Sequence, residues 1–283
     1  MNNIEKLNSL AATLPSPFKE SAEALLEKMG TVIEGIGDED VTWKAPMLRM
    51  IQGTTDRSSY PRGALIGDFV IGEEKIERPL KFIPLYVWEG RQYWSPDQNE
   101  SKMLCSSPDA KLGYIGSYCN QCPHSKFDES ARKSECGKIR QCLAITSDLS
   151  TIFAVSFAKT NYVTGTELVG MLKKAGVSPY RRVYELDSAT NSEYKNVENF
   201  RVKPAPAAER NVPTEFLEFL TELFRSVQGE RKESLETFYK VTLERRERTP
   251  QLPTSAAEGE SILLTGSSDD SAPISDMAKS YVV

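Results

Sequence analysis

The placement of the cysteines constrains this chain more than any other feature of its sequence. Among 283 residues there are five cysteines and a single histidine, His124. The segment CNQCPHSKFDESARKSEC, which runs from Cys119 to Cys136, contains that histidine and three of the cysteines. Its C-x-x-C pair, Cys119 and Cys122, is a tight turn from which two thiolates reach one zinc ion at ~2.3 Å. Cys105 and Cys136 flank this pair at equal separations, and both intervening loops are long enough to complete a tetrahedron.

The four cysteines 105, 119, 122 and 136 therefore predict a structural zinc site. Four thiolates saturate zinc and leave no open coordination position for a substrate. His124 and Cys142 stay open as alternative ligands, although the strand-like run IRQCLAIT favours a buried core thiol at Cys142. The alternatives to a metal site are five unrelated reduced cysteines or a redox C-x-x-C motif. The redox alternative is disfavoured because the motif opens a polar loop beside Pro123 rather than a thioredoxin-like helix.

Composition and the N-terminal segment predict a cytoplasmic protein. Hydrophobic residues make up 39% and charged residues 27% of the chain, as in globular proteins. No apolar run approaches the ~20 residues that span a bilayer, and the N-terminal segment lacks the apolar stretch of a signal peptide. We therefore expect no membrane contact. Thiols stay reduced in a cytoplasm, which favours metal binding over disulfide bonds.

Helix and strand signals predict a mainly β protein of the α+β class. The segment SPFKESAEALLEKMG predicts a helix with Ser16 as N-cap and Gly30 as stop, and TGTELVGMLKKAG predicts a helix between late strands. Short runs of branched and aromatic residues, bounded by Gly, Pro and Asp, predict the strands. The predicted segments are an N-terminal helical segment at 1–40, a β domain at 41–203 with a zinc insertion at 105–142, a linker at 204–213, an amphipathic helix at 214–248 and a disordered acidic tail at 249–283.

Charge is distributed unevenly along the chain. Lys and Arg outnumber Asp and Glu in residues 101–210, whereas residues 251–283 are acidic and the formal net charge is −5. A basic middle suits a phosphate-binding surface, and an acidic tail can compete for that surface or recruit partner proteins. The alternative is an ordinary solvated surface with a solubilising tail.

Aromatic residues cluster in the run FIPLYVWEGRQYW. We predict a strand–turn–strand here with EGRQ as the turn, and alternation places Tyr86 and Trp88 on one face. Aromatic rings beside cations on a β surface suit stacking on unpaired bases while the cations contact phosphates. The alternative is that the rings form the core. Tyr114 and Tyr118, in the loop before the C-x-x-C pair, are candidates to extend such a surface.

Motifs for catalysis are missing from the sequence. The only histidine lies inside the cysteine segment, so a Ser-His-Asp or Cys-His mechanism would have to use it. The chain contains no G-x-x-x-x-G-K-[ST], no G-x-G-x-x-G after a strand and no H-E-x-x-H. We therefore expect no enzymatic activity. A nuclease built from scattered carboxylates is the weakest of the alternatives.

Several motifs, in order, resemble one known family. APMLRMIQG, GALIGDF, FIPLYVWEGRQYW, LCSSPDA, CNQCPHSKF and SECGKIRQCLAIT resemble a family of tailed-phage and prophage proteins in which single-stranded DNA binding is suspected. The resemblance covers residues 44–203 and implies a zinc-bearing, OB-like β-barrel that acts in phage DNA replication or recombination. By position, the four cysteines take the metal-ligand places, and Phe127 stands where the family often has Trp. Cys142 has no counterpart in the family pattern.

The leading hypothesis is a single-stranded DNA-binding protein in the cytoplasm, which is the host cytoplasm if the protein is phage-encoded. Zinc would hold the loops of 105–136 in register, and the acidic tail would recruit replication or recombination proteins. The predicted nucleic-acid-binding residues are the aromatic residues Trp88, Tyr93, Trp94 and Phe127 and the basic residues Arg91, Lys126, Arg132, Lys133, Lys138 and Arg140. The alternative hypothesis is a zinc-stabilised protein-interaction or transcription-modulating module without nucleic-acid affinity.

Overall fold

The computed structural model describes residues 3–30, 45–56, 58, 60–95, 102–129, 134–191, 194 and 197–248. The chain divides into two compact units. The first, called the sheet unit, comprises residues up to Glu89 and Lys138–Arg231, and the second, called the cysteine unit, comprises Gly90–Gly137 and the chain from Lys232 onward. The predicted tail at 249–283 lies outside the described residues. No helix in the described ranges is long and apolar enough to cross a membrane.

The strands form one sheet, and the mainly β prediction is confirmed. Eight strands make a curled half-barrel in the order β3-β2-β1-β7-β6-β4-β8-β9, and β5 pairs with the end of β4. Strands β1 and β7 are parallel. The strands are β1 Met47–Met50, β2 Phe69–Ile71, β3 Glu74–Ile76, β4 Leu80–Trp94, β5 Met103–Ser107, β6 Cys136–Thr146, β7 Ile152–Ala158, β8 Tyr184–Thr190 and β9 Glu198–Pro204.

The described part of the chain contains four α-helices, α1 Asn3–Ala11, α2 Phe18–Gly30, α3 Tyr162–Ala175 and α4 Leu217–Arg248. Helix α2 confirms the predicted N-terminal helix, and it begins two residues after Ser16. Helix α3 ends at Gly176, whose φ of 64° is the left-handed conformation expected of a glycine C-cap. Helix α4 confirms the helix predicted at 214–248.

Both faces of the sheet are buried in the sheet unit. Along β6, Leu143 and Ile145 face one apolar cluster, which includes residues of α1, α2 and α4. Cys142 and Ala144 face a second cluster, which includes Leu168 of α3. Alternate side chains of a strand point to opposite faces. Burial on both faces therefore explains why LAIT reads as a continuous apolar run rather than an alternating one.

The predicted turn at EGRQ is wrong, because β4 continues through these residues from Leu80 to Trp94. The first residues of β4 pair with β8, and residues from Arg91 to Trp94 pair with β5. Within this strand the Glu89 carboxylate lies 2.7 Å from the Arg140 guanidinium and accepts a hydrogen bond from the Tyr162 hydroxyl. A change of pairing partner thus occurs where a reversal of the chain was expected.

Two glycines of α3 provide a matched test of this packing. A Cβ at Gly165 would lie 2.6 Å from the Arg140 Cβ and 2.8 Å from the Phe157 Cβ, whereas a Cβ at Gly170 would meet nothing within 4 Å. We expect Gly165→Ala to lower the free energy of unfolding by ~1–3 kcal/mol through overpacking. Gly170→Ala should raise it by ~0.5–1 kcal/mol because alanine loses less backbone entropy. Urea denaturation measures both, and equal effects would contradict the packing of α3 on the sheet.

Candidate metal centre

Four of the five cysteines line a single cavity in the cysteine unit. The cysteines are those predicted as zinc ligands, Cys105, Cys119, Cys122 and Cys136, and all four are free thiols. Cys142 lies elsewhere, fully buried in the core of the sheet unit, as the sequence predicted. The structure therefore separates the set of four from the fifth cysteine.

Strands supply the two outer cysteines of the set. Cys105 lies on β5, where it pairs with Tyr93 of β4, and Cys136 is the first residue of β6. Arg91 and Tyr93 are alternate residues of β4 and both line the cavity, since side chains two apart point to the same face of a strand. Regular β pairing thus brings together two cysteines that are 31 positions apart in the chain.

The two inner cysteines lie on a turn fixed by its own hydrogen bonds. The carbonyl of Tyr118 accepts hydrogen bonds from the N–H groups of Gln121 and Cys122, each at 3.0 Å. The Ser125 hydroxyl donates to the carbonyl of Cys122 at 2.8 Å and also to the carbonyl of Cys119. Ser125 ends the short 3-10 helix Pro123–Ser125. The turn around the C-x-x-C pair is therefore ordered by backbone and hydroxyl groups and leaves the thiols available as ligands.

Gly113 makes room for the sulfur of Cys105. A Cβ at this position would lie 2.9 Å from Cys105 Sγ, closer than side-chain atoms tolerate. The Gly113 N–H donates to the carbonyl of Ser117 at 2.8 Å, which closes the loop that follows β5. Burial raises the pKa of Cys105, and backbone hydrogen bonds from Ile115 and Tyr114 offset part of this rise. Hydrogen bonds of this kind favour a thiolate over a thiol.

Burial and Arg91 act in opposite directions on the thiols of the cavity. Burial raises the pKa of Cys105 and Cys119, and it raises the pKa of Cys136 to about 11. The Arg91 guanidinium opposes this rise at Cys119 and Cys136, and its Nη1 donates to the carbonyl of Cys136 at 3.4 Å. The raised pKa values of Cys105, Cys119 and Cys136 keep these three thiols protonated at neutral pH when no metal is bound, and a bound cation would replace their protons.

The donor set fits a tetrathiolate zinc site. Soft thiolates select zinc and related ions, and the positive charge of Arg91 would offset part of the excess negative charge of four thiolates. Within the described ranges, no group of three or more His, Cys, Asp or Glu side chains is already arranged to hold a metal ion. The zinc site therefore stays a proposal, with Cys105, Cys119, Cys122 and Cys136 as the ligands.

His124 also lines the cavity, which is a condition for its role as an alternative zinc ligand. Its Nδ1 lies 2.5 Å from the carboxylate of Glu135, and its ring stacks on Tyr93 with the centroids 4.4 Å apart. These contacts leave Nε2 as the nitrogen with which His124 would replace a cysteine. They also account for the position of Tyr93, whose ring is partly covered by the imidazole.

The predicted nucleic-acid residues divide into exposed and buried side chains. Trp94 is 43% exposed and Phe127 is 66% exposed, and Lys126 beside Phe127 is exposed too. Trp88 is 8% exposed, and the guanidinium of Arg231 lies 4.1 Å from the centroid of its ring. Trp88 thus occupies the core, which the sequence analysis gave as the alternative for such rings.

The predicted phosphate contacts are also separated by the structure. Lys138 and Arg140 lie in the sheet unit and both pair with Glu89, at 3.8 and 2.7 Å. Arg91 is directed to the cysteine cavity. Arg132 and Lys133 lie outside the described residues. The sequence analysis missed Glu89 as the partner of Lys138 and Arg140, because the residues GRQ after it suggested an exposed turn. No sequence signal identified Gly113 as a neighbour of Cys105.

Comparison with known proteins finds no match to this chain among models of protein families, curated proteins or solved structures. The function is therefore argued from the geometry of the cysteine unit and from the motifs of the sequence.

Zinc binding can be tested by removing one thiol at a time. We expect about one zinc ion per chain in the purified protein. Cys119→Ser and Cys136→Ser should each lose most of this zinc, because a hydroxyl is a poor ligand for it. Cys142→Ala should retain zinc, since Cys142 lies apart from the cavity. Metal analysis measures the zinc, and circular dichroism checks folding. A zinc-free wild-type protein, or equal loss in all three variants, would contradict the assignment.

Proposed function

We propose that this protein binds single-stranded DNA through the cysteine unit. The observation that carries the proposal is that exposed rings and exposed lysines occur in the same compact unit as the four-cysteine cavity. The exposed rings are Trp94 at the end of β4, Tyr118 just before the C-x-x-C pair, and Phe127 just after it.

Exposed aromatic side chains of this size favour contact with a flat apolar partner. Every base presents such a face, and stacking of one base on one ring contributes ~1–3 kcal/mol. Two of the rings belong to segments fixed by the cavity: Tyr118 begins the turn around the C-x-x-C pair, and Trp94 follows the cavity residue Tyr93. Stacking of this kind tolerates any sequence of bases, so we expect binding without strong sequence preference.

Three lysines provide the positive charge for phosphates in this proposal. Lys102, Lys111 and Lys126 are exposed, and none of them pairs with a carboxylate elsewhere in the described part of the chain. Lys138 and Arg140 are less suitable because Glu89 already neutralises part of their charge. The structure thus favours a different set of phosphate contacts from the one that the sequence suggested.

Zinc has a structural role in the proposal. One ion bound by the four thiolates would hold β5, the C-x-x-C turn and the start of β6 together, and it would thereby fix the positions of the rings that flank them. A saturated site offers no position for a substrate, which accords with a binding protein rather than an enzyme.

The proposal extends to the finer fold and the biological setting. The curled half-barrel is only loosely compatible with the OB-like barrel that the resemblance implies, and the OB-like fold is part of the proposal. The order of the motifs along the sequence, which resembles that of the phage family, supports a role in phage DNA replication or recombination. In this role the acidic residues after 250 would recruit partner proteins. OB-type barrels bind oligonucleotides in many unrelated proteins, so an OB-like barrel would suit the proposed ligand.

A protein-interaction module is the second candidate, and one observation favours it. Leu65 and Ile66 of the sheet unit are exposed apolar residues on the loop between β1 and β2. The carboxylate of Asp68 accepts a hydrogen bond from the Leu65 N–H at 2.8 Å, which holds the pair in place. An apolar loop tip of this kind suits a protein partner. Failure of the protein to bind oligonucleotides at low salt would favour this candidate.

A titration with labelled oligo-dT tests the proposed function. We expect salt-sensitive binding, with single-stranded DNA bound more tightly than a duplex of equal length. Trp94→Ala and Phe127→Ala should each weaken binding by about tenfold, because each removes one stacking ring. Fluorescence anisotropy at two salt concentrations measures the affinity.

Tyr194→Ala provides the matched control. Tyr194 is an exposed aromatic residue of the sheet unit, so its removal should leave the affinity unchanged. The proposed surface is wrong if Tyr194→Ala weakens binding as much as the two test variants. The whole function is wrong if the zinc-loaded wild-type protein binds neither DNA at low salt.

A further inference from the structure

We propose that Arg246, near the end of α4, binds a phosphate of the same DNA strand and is held ready for it by Tyr118 and Gly116. This inference rests on the proposed function and extends it to a helix that the sequence analysis kept apart from the nucleic-acid surface. All three residues belong to the cysteine unit.

Tyr118 supports the guanidinium of Arg246. The Arg246 Cζ lies 5.8 Å from the centroid of the Tyr118 ring, within the range of a cation–π contact. Tyr118 is 42% exposed and Arg246 is exposed as well, so the pair lies at the surface. The backbone of Tyr118 is fixed, because its carbonyl accepts two hydrogen bonds from the C-x-x-C turn.

Gly116 supports the aliphatic part of the same side chain. A Cβ at Gly116 would lie 3.2, 3.5 and 3.7 Å from the Cβ, Cγ and Cδ atoms of Arg246. The side chain of Arg246 therefore runs across the bare backbone of this glycine toward the tyrosine ring. Gly116 has a φ of +83°, which other residues rarely adopt, and its N–H donates to the carbonyl of Gly113 at 2.8 Å.

Helix α4 itself is anchored on the loops after β5. Phe238 is buried in a cluster with Leu112 and Tyr114, and the Tyr239 hydroxyl donates to the Asp109 carboxylate at 2.7 Å. The Arg245 guanidinium lies 4.4 Å from the centroid of the buried Tyr114 ring. These contacts hold the last turns of α4 in place, so the backbone position of Arg246 does not depend on contacts of the Arg246 side chain.

The arrangement suits a phosphate because it leaves the guanidinium edge free. A guanidinium that stacks on a ring still presents its N–H groups in its own plane, where a phosphate can accept two of them. Arg246 forms no ion pair with a carboxylate elsewhere in the described ranges, in contrast to Arg225 of the same helix, which pairs with Glu222. Its charge therefore has no carboxylate partner among the described side chains.

A strand of nucleic acid is the phosphate source that the surroundings favour. The exposed face of Tyr118 beside the guanidinium suits a base, and a phosphodiester would place base and phosphate next to each other. A membrane headgroup would supply the same phosphate without the base. Vesicles that contain an anionic phospholipid therefore form a separate arm of the test.

The test compares Arg246→Ala with Lys240→Ala in zinc-loaded protein. Both variants remove one exposed positive charge from the same helix, but Lys240 makes none of the ring contacts described for Arg246. We expect Arg246→Ala to weaken oligo-dT binding by about fivefold and to reduce the slope of log affinity against log salt by about 0.7. Lys240→Ala should change neither quantity appreciably. Arg246→Lys should recover the slope but only part of the affinity, because lysine lacks the planar fork.

The outcomes separate this inference from the proposed function. If the wild-type protein binds oligo-dT and Arg246→Ala binds equally well, the role of Arg246 is wrong and the proposed function stands. If the wild-type protein does not bind, the proposed function itself fails. Equal losses in the alanine variants at 246 and 240 would indicate a general charge effect and contradict a built site. Stronger binding of the wild-type protein to the anionic vesicles than to oligo-dT would assign the phosphate to a lipid headgroup and overturn the inference.

Discussion

The proposed function depends on four thiols, those of Cys105, Cys119, Cys122 and Cys136, which line one cavity of the cysteine unit. In its described part, the buried apolar cluster consists of Leu112, Tyr114 and Phe238. A core of this size buries too little apolar surface to order a unit of long loops, and small domains of this kind commonly need a metal or disulfides. The described cysteines form no disulfide, and we propose that a bound metal ion supplies this stabilisation.

The two units differ in the size of their apolar clusters and in the side chains that they expose. The sheet unit is stabilised by apolar clusters on both faces of its sheet, and several of its cations pair with acidic partners such as Glu89 and Asp68. The cysteine unit has a small core, exposed rings and lysines without described partners. Under the proposed function, stability and binding rest on different residues, so substitutions at Trp94, Phe127 and Arg246 should alter binding and leave the apolar clusters intact.

Local patterns predicted the fold where a single rule applied. The glycine C-cap signal identified α3, and the thiol spacing identified the four residues that line one cavity in the structure. The prediction of a turn at EGRQ was wrong. A polar stretch within a strand that changes its pairing partner has the same composition as a turn. The sequence also gave no sign that Glu89 pairs with Arg140, that Gly116 lies under Arg246 or that Gly113 lies beside Cys105. Such contacts join residues far apart in the chain, and no local pattern encodes them.

X-ray absorption at the zinc edge tests the central claim most directly. Spectra of the purified protein report the elements bound to the metal and their distances without requiring any substitution. The account predicts a first shell of four sulfur atoms at ~2.3 Å, the geometry of a saturated structural site. A shell dominated by nitrogen or oxygen atoms would contradict it, since the metal would then lie outside the cavity lined by Cys105, Cys119, Cys122 and Cys136.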